Sequence, residues 1–265
     1  MKAFLPKKLI SIAAVSALAL SSLTIFSSEV DAKTSSKKKQ VKNVIFLIGD
    51  GMGNSYTSAY RYLKNSSSTQ YVDQTSFDRY LVGQQMTYPE DPAENVTDSA
   101  SAATAMSAGV KTYNNAIAVD NNKKNVKTVL ESAKEMGKAT GLVATSEITH
   151  ATPAAFGSHD ETRKNMNGIA DDYFDELVNG KHKIDVLLGG GKSNFVRQDR
   201  DLTKEFKKAG YNYVTTKSQL KNNNSSQLLG LFADGGMDKM IDRGSQTPSL
   251  AYMTNTALKQ LGKDK

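Results

Sequence analysis

Short apolar runs alternate along this chain with longer segments in which apolar residues recur at helical spacing. Residues 43–48, 141–145 and 184–188 are such runs, and 211–214 is a shorter one. A continuous apolar run is typical of a strand that is buried on both faces. Strands separated by helices form a mainly parallel sheet with helices on both faces. The sequence therefore predicts an α/β fold, a three-layer αβα sandwich with a mainly parallel central sheet.

The helices of this fold are predicted from their apolar spacing. One is expected to end at Gly137, one spans 202–209 before Gly210, and the last follows all the predicted strands. Because a crossover helix normally leads to another parallel strand, we expect the sheet to be incomplete at the C-terminus. The apolar positions of three helices are Val126, Val129, Leu130 and Ala133; Ile169, Tyr173 and Leu177; and Leu250, Met253, Ala257, Leu258 and Leu261.

Residues 1–32 have the composition of an export signal. Lysines near the N-terminus precede an apolar stretch at 9–26, and residues 30–32 offer a small-residue cleavage site. A retained membrane anchor is the alternative, but serines interrupt the stretch, which is short of the ~20 strongly apolar residues that a span needs. We therefore expect a signal peptide that is cleaved near Ala32 and a product that is secreted or associated with the cell wall.

The net charge of +7 is concentrated after the predicted signal, in a segment at 33–42 that we expect to be basic and flexible. The chain has no Trp, and its basic and aromatic residues do not interleave as on a surface that stacks bases. Nucleic acid is therefore not expected as a specific partner, and the charge suits a cell-wall or membrane surface better. The basic residues are Lys33, Lys37, Lys38, Lys39 and Lys42.

The chain has no Cys, although export often accompanies disulfides. Stability must then come from a core or from bound metals. The hydrophobic residues, 38% of the chain, are enough for one large domain, which we predict at residues 43–265.

Residues 98–105 place a hydroxyl directly after a carboxylate at the start of a helix of small residues. A helix start offers free N–H groups and the positive end of the helix dipole, which favour a bound anion. Ser99 could be only a helix cap, but with Asp98 before it the pattern favours a nucleophile that receives a phosphoryl group. A serine hydroxyl needs activation and no His is suitably placed, so a metal ion is the expected activator.

Other polar residues could belong to the same site. Asp50 lies in a Gly-rich turn after the first apolar run, where it is either a turn residue or a ligand for a hard cation. Arg163 is either a solvated side chain or a planar clamp for a phosphoryl group. His150 and Thr152 follow the predicted strand at 141–145, and ligands of such sheets gather beyond the carboxyl ends of the strands.

Two histidines and one glycine run have less specific patterns. His159 also flanks Thr152 and could approach the site, whereas His182 lies between two lysines and is expected to be exposed. Residues 189–193, Gly-Gly-Gly-Lys-Ser, are similar to the end of a P-loop, but the first glycine of that motif would fall on Val186. We interpret this run as a strand-to-helix turn.

Several stretches, taken in order, resemble the secreted bacterial alkaline phosphatases. The resemblance spans nearly all of the chain after the predicted signal. The stretches are residues 43–53, 98–105, 109–114, 149–155, 185–195 and 231–237.

This resemblance implies an enzyme that hydrolyses phosphate monoesters through a phosphoserine intermediate and depends on two Zn²⁺ and one Mg²⁺. Ser99 would be the nucleophile and a zinc ligand, and Arg163 would clamp two phosphate oxygens. Asp50 would bind metal in the zinc and magnesium sites, and Thr152 would bind Mg²⁺. The residues expected just outside the metal ligands are Asp98 and His150, the latter acting through a magnesium-bound water. A homodimer is implied for the full-length enzyme.

The chain departs from the family pattern in its metal ligands. Family members draw their remaining zinc ligands from a C-terminal portion, whereas this chain has three histidines and none in an Asp-x-x-x-His or Asp-His pattern. We expect it to be an N-terminal part with little or no activity alone. Two alternatives stay open, a non-catalytic exported protein that binds phosphate and Mg²⁺, and a related phosphodiesterase or sulfatase. Arg163 favours monoesters, because a diester has fewer free phosphate oxygens.

Overall fold

The computed structural model describes residues 41–262, so the predicted signal peptide at 1–32 and most of the basic segment lie outside the described residues. The helices are α1 (Asn54–Lys64), α2 (Ser76–Tyr80), α3 (Ser99–Ala108), α4 (Val129–Glu135), α5 (Ala151–Gly157), α6 (Met166–Asp175), α7 (Lys192–Phe195), α8 (Leu202–Lys208), α9 (Lys217–Lys221) and α10 (Leu250–Leu261). The strands are β1 (Gly141–Glu147), β2 (Leu177–Val178), β3 (Lys181–His182), β4 (Val186–Gly190), β5 (Asn212–Val214) and β6 (Leu228–Leu231).

Contacts divide the chain between Ile48 and Gly49, and all of these elements lie in the second unit, Gly49–Lys265. Within residues 41–262, none of the helices combines the length and the apolarity that crossing a bilayer requires.

Four strands form one sheet in the order β1-β4-β6-β5, and every neighbouring pair is parallel. Strand β4 lies inside the sheet, and all of its residues are buried. Strands β2 and β3 form a separate antiparallel pair. This arrangement confirms the predicted α/β fold with a mainly parallel sheet.

The sheet separates two hydrophobic cores. Leu187 of β4 belongs to the core that contains Tyr173 of α6, whereas the next residue, Leu188, belongs to the core that contains Met253 of α10. Successive side chains of a strand point to opposite faces. Helices therefore cover both faces of the sheet, which gives three layers.

The strand predicted at residues 43–48 is wrong in this structure. No strand is assigned there, and the side chains of Val44, Ile45, Phe46 and Leu47 are 57% to 80% exposed. An apolar run indicates that a segment can be buried, but a strand also needs neighbours that hydrogen-bond to its backbone. The composition of this run does not specify such neighbours.

The first predicted amphipathic helix begins later than its apolar spacing suggests. Helix α4 starts at Val129, because Thr128 accepts a hydrogen bond from the Glu131 N–H and the Glu131 side chain accepts one from the Thr128 N–H. This capping box ends the preceding extended backbone. Val126 therefore lies before the helix.

Two other helices differ from the prediction in the residues that they bury. Helix α6 ends at Asp175, so Leu177 lies in β2 and is 51% exposed. Helix α10 buries Met253 and Ala257, whereas Leu250 and Leu258 are exposed. The buried face of α10 is narrower than its apolar pattern.

Candidate functional site

Helix α3 begins at Ser99, and Asp98 caps its first turn. The backbone of Asp98 is extended, with φ −91° and ψ 177°, and its carboxylate accepts a hydrogen bond from the Ser101 N–H at 3.0 Å. The small residues Ala100 and Ser101 are buried. A capped helix start with small side chains leaves the first N–H groups close to any anion that Ser99 carries.

Arg163 connects the residues at this helix start to His150. Its Nη1 donates hydrogen bonds to Ser99 Oγ at 2.8 Å and to a carboxylate oxygen of Asp98 at 3.2 Å. Its Nη2 lies 3.0 Å from Nε2 of His150. The guanidinium therefore lies within hydrogen-bond distance of the Ser99 hydroxyl.

His150 is a neutral imidazole in this arrangement. Because an arginine is always protonated, Nη2 of Arg163 is the donor and Nε2 of His150 is the acceptor, which puts the imidazole proton on Nδ1. Burial lowers the pKa of His150 below its usual 6.5, and the positive charge of Arg163 lowers it further. The negative charges of Asp50, Glu147 and Asp98 oppose this shift without cancelling it.

Asp50 and Thr152 place two oxygen ligands side by side. Thr152 Oγ1 donates a hydrogen bond to Asp50 Oδ2 at 2.6 Å. Thr152 lies in the first turn of α5, shortly after the end of β1 and next to Ala151, which follows the N-cap His150. Asp50 precedes Gly51, whose φ is 64°. Magnesium binds through one or two carboxylates and further oxygen ligands and keeps several waters. The donor set of this pair therefore fits Mg²⁺.

The same residues do not complete two zinc sites. Structural and catalytic zinc sites take three or four N, S or O ligands from the protein. The imidazole at this site, His150, accepts from Arg163 through its Nε2. Ser99, Asp50 and His150 lie at this site, and the described residues place no second histidine there.

His159, which the sequence allowed to approach the site, lies in an ion-pair cluster elsewhere. Its Nδ1 is 3.3 Å from Glu176 and its Nε2 is 3.6 Å from Glu131. These side chains could form a metal-ligand group, since their ligand atoms lie within 4.8 Å of one another. However, the ammonium of Lys183, 1% exposed, pairs with Glu176 and lies 3.6 Å from Glu131. Lys183 therefore already provides the positive charge that a metal ion would bring to these carboxylates.

His182, predicted to be exposed, is partly buried instead. Its ring centroid lies 4.7 Å from that of Phe174 and 5.6 Å from that of Tyr211. Its Nδ1 is 3.0 Å from the carbonyl oxygen of Phe174. The prediction failed because flanking lysines do not guarantee exposure, as the buried Lys183 shows.

Two asparagines for which the sequence predicted no role contact this site. Asn114 accepts a hydrogen bond from the Asp98 N–H at 2.9 Å, and the Asn115 N–H donates to the Asp98 carboxylate at 3.0 Å. The Asn115 carbonyl accepts from the Arg163 N–H at 2.8 Å. An adjacent pair of asparagines is a turn signal, which does not by itself predict these contacts.

Comparison with known sequences identifies close relatives. A family model described as alkaline phosphatase matches residues 41–265. Alkaline phosphatase 3 of Bacillus subtilis (strain 168) is 69% identical over 269 residues, which cover 100% of this chain and 58% of that protein. Alkaline phosphatase of Escherichia coli (strain K12) is 33% identical over 282 residues, which cover 85% of this chain and 58% of that protein. The chain thus spans a little over half the length of these relatives.

Solved structures agree with the sequence comparison. A cold-active alkaline phosphatase from Shewanella sp. superposes with a TM-score of 0.75 and 42% identity, covering 82% of this chain and 52% of that chain. A histidine-to-glutamate mutant of TAB5 alkaline phosphatase, with Mg bound in its M3 site, gives a TM-score of 0.68 and 34% identity. It covers 81% of this chain and 59% of that chain. The fold, the match over residues 41–265 and these relatives together show that the chain belongs to the alkaline phosphatase family.

Proposed function

We propose that this chain carries the nucleophile and the phosphate clamp of an enzyme that hydrolyses phosphate monoesters through a phosphoserine at Ser99. One observation carries the proposal: Ser99 Oγ lies at the first residue of α3 and 2.8 Å from Nη1 of Arg163. A helix N-terminus and a guanidinium converge on one hydroxyl, and both favour a bound dianion. Membership of the alkaline phosphatase family supports the same chemistry.

In the proposed reaction, Ser99 Oγ attacks the phosphorus of the monoester. The Oγ–P bond forms as Oγ loses its proton to solvent, the ester P–O bond breaks, and the oxygen of the leaving alcohol takes up a proton from solvent. Water then attacks the phosphorus and loses a proton, the Oγ–P bond breaks, Oγ takes up a proton again, and inorganic phosphate leaves. During both steps the first N–H groups of α3 and the guanidinium of Arg163 bind the phosphoryl oxygens. Asp98 orients that guanidinium through their ion pair at 3.2 Å.

Asp50 and Thr152 would hold the Mg²⁺ ion. A bound Mg²⁺ supplies positive charge near the phosphoryl group and orients water. The 2.6 Å contact between their oxygens supports this assignment, and so does the Mg-bound TAB5 relative. The two zinc ions implied by the family resemblance need ligands that the described residues do not bring to Ser99 and Asp50. For that reason, low activity of this chain alone remains our prediction.

Export through a signal at residues 1–32 and association with a cell-wall or membrane surface are part of the same proposal. The lysines at 33–42 support attraction to an anionic surface, and homodimerisation would belong to the full-length enzyme. Fractionation of expressing cells into cytoplasm, membrane, wall and medium, with mass determination of the N-terminus, tests cleavage near Ala32. Retention of an uncleaved product in the membrane would support the anchor alternative.

Trapping of the phosphoserine tests the proposed reaction. The chain is incubated with a nitrophenyl phosphate ester and Mg²⁺, with and without Zn²⁺, quenched in acid and analysed by peptide mass spectrometry. We expect phosphate on Ser99 in the wild type and in Ser76→Ala, which removes the serine at the first position of α2. Ser99→Ala should show none. An unlabelled wild type that still binds phosphate would favour the non-catalytic alternative, and faster cleavage of a nitrophenyl diester would favour a phosphodiesterase.

A further inference from the structure

Asn114 and Asn115 contact both parts of the proposed site, the start of α3 and the segment that carries Arg163. We propose that these two asparagines are positioning residues that set the placement of Arg163 relative to Ser99. The inference rests on the proposed function in one respect, since the placement is taken to serve phosphate binding.

Asn114 uses its whole side-chain amide. The residue is 7% exposed, and its Oδ1 accepts from the Asp98 N–H and the Ser101 hydroxyl, both at 2.9 Å. Its Nδ2 donates to the Val96 carbonyl at 2.9 Å and to the Glu94 carboxylate at 2.5 Å. Two acceptor and two donor positions of the amide are thus filled. Asn114 therefore links the segment before Ser99 to the first turn of α3 by hydrogen bonds.

Asn115 acts through its backbone. Its N–H donates to Asp98 Oδ2 at 3.0 Å and its carbonyl accepts from the Arg163 N–H at 2.8 Å. Its φ is 77°, in the left-handed region that asparagine and glycine adopt far more easily than β-branched residues. The backbone of this one residue therefore joins the cap of α3 to the segment that carries Arg163.

The Asp98 carboxylate is the point where the two contacts meet. One of its oxygens accepts from the Ser101 N–H, and the other accepts from the Asn115 N–H and from Nη1 of Arg163. The asparagines thus hold Asp98 from its backbone and from its carboxylate, and Asp98 holds the guanidinium. A misplacement of about 1 Å at a clamp of this kind costs about a hundredfold in rate, so a loss of this support should be measurable.

A matched pair of substitutions tests the role of Asn115. Asn115→Gly keeps the N–H, the carbonyl and easy access to a positive φ, whereas Asn115→Val disfavours that φ strongly. Three quantities are measured: the mobility of the Arg163 guanidinium by nitrogen-15 NMR without ligand, the affinity for inorganic phosphate, and unfolding in urea. We expect Asn115→Val to free the guanidinium and to lower phosphate affinity about tenfold or more. Asn115→Gly should retain both properties.

A second pair tests Asn114 at nearly constant shape. Asn114→Asp keeps the acceptor oxygen and loses the two donated hydrogen bonds, while Asn95→Asp adds the same charge at an exposed position of the segment before α3. Only the first should mobilise Arg163. Wild-type order of Arg163 in both Asn115→Val and Asn114→Asp would overturn the inference, as would global unfolding of both, which would mean a general structural role. The NMR comparison does not require turnover, so a wild type that forms no phosphoserine would refute the proposed function alone.

Discussion

Asp50 and Thr152 are 102 residues apart in the sequence, yet their side-chain oxygens lie 2.6 Å apart. The end of β1 accounts for the position of Thr152, because β1 ends at Glu147 and α5 begins at Ala151, with His150 as the N-cap of the helix. Polar groups beyond the carboxyl ends of parallel strands commonly form ligand sites. Because one of these oxygens is a carboxylate oxygen and the other a hydroxyl oxygen, a small hard cation could be bound by both once the hydroxyl proton turns away.

Loss of either oxygen should therefore weaken Mg²⁺ binding. We expect Asp50→Asn and Thr152→Val each to lower the affinity about tenfold or more, equivalent to about 1.4 kcal/mol. Isothermal titration with MgCl₂ measures the effect. Asp242→Asn, at an exposed position, is the control with the same change of charge. Equal Mg²⁺ affinities in all four proteins would refute the site.

Arg163 should determine phosphate affinity through its geometry as well as its charge. Arg163→Lys keeps the charge, but one ammonium cannot replace a planar guanidinium that contacts Ser99, Asp98 and His150 at once. We expect the affinity for inorganic phosphate to fall about tenfold or more, measured by titration. Arg79→Lys, at an exposed arginine, should bind as the wild type does. An unchanged affinity in Arg163→Lys would exclude the clamp.

Some parts of the fold could be predicted because one local pattern decided them. Strands β1 and β4 are apolar runs, and β4 is buried throughout. Strand β6 was not predicted, although all of its residues are buried, because Gly230 interrupts its apolar run. The glycine leaves room for the neighbouring strand, since a Cβ on it would lie 2.6 Å from Cδ2 of Leu188 and that side chain would have to shift. Such a requirement comes from the neighbouring strand and has no local signal.

The residues of the site also divide into those that a local sequence pattern predicts and those that depend on the tertiary structure. Asp98, Ser99 and Arg163 were singled out because their side chains carry recognisable chemistry. Asn114 and Asn115 were not, because their contacts run to backbone groups and depend on a positive φ that the fold imposes. Side chains that support a site through backbone contacts become visible only when the tertiary structure is known.

His159 should make stability depend on pH. Burial alone lowers the pKa of His159, but the hydrogen bond to Glu176 and the charges of Glu131 and Glu176 outweigh burial and the opposing charge of Lys183, so the pKa is raised above 6.5. Asp172, which accepts the backbone N–H of His159, also faces it. A raised pKa stabilises the fold fully below the unfolded-state value, and the contribution is lost as pH rises through the folded-state value.

We therefore expect His159→Gln to destabilise the chain more at about pH 6 than at about pH 9. Urea unfolding of the wild type and the variant across this range measures the difference. Glu176→Gln should reduce the pH dependence of the wild type, since Glu176 accepts the hydrogen bond that does most to raise the pKa of His159. A difference that grows with pH would contradict this assignment.

Lys183 should be essential to the same cluster. Its side chain is 1% exposed and pairs with Glu176, whose side chain is 34% exposed, so Lys183→Met leaves partly buried carboxylates without their cation. Breaking a fully buried ion pair from one side costs about 3–5 kcal/mol of unfolding free energy, and the partial exposure of Glu176 should bring the loss below that range. Adding Glu176→Gln to Lys183→Met should recover part of that loss. Urea unfolding measures both, with Lys181→Met, at an exposed lysine, as control. A loss no larger than that of Lys181→Met would show that the pair does not stabilise the fold.

The glycine run at the end of β4 should be required for packing there. A Cβ on Gly190 would overlap the carbonyl oxygen of Gly235 and lie 3.2 Å from the Met237 nitrogen. The same carbonyl accepts a hydrogen bond from the Gly191 N–H at 2.7 Å, so the close approach is part of the backbone pairing. Gly190→Ala should lower the unfolding free energy by about 1–3 kcal/mol or more, because backbone cannot yield as a flexible side chain does. Gly244→Ala, where a Cβ meets nothing within 4 Å, should change it by about 0.5 kcal/mol at most. Equal stabilities of the two variants in urea would show that Gly190 is not needed for this approach.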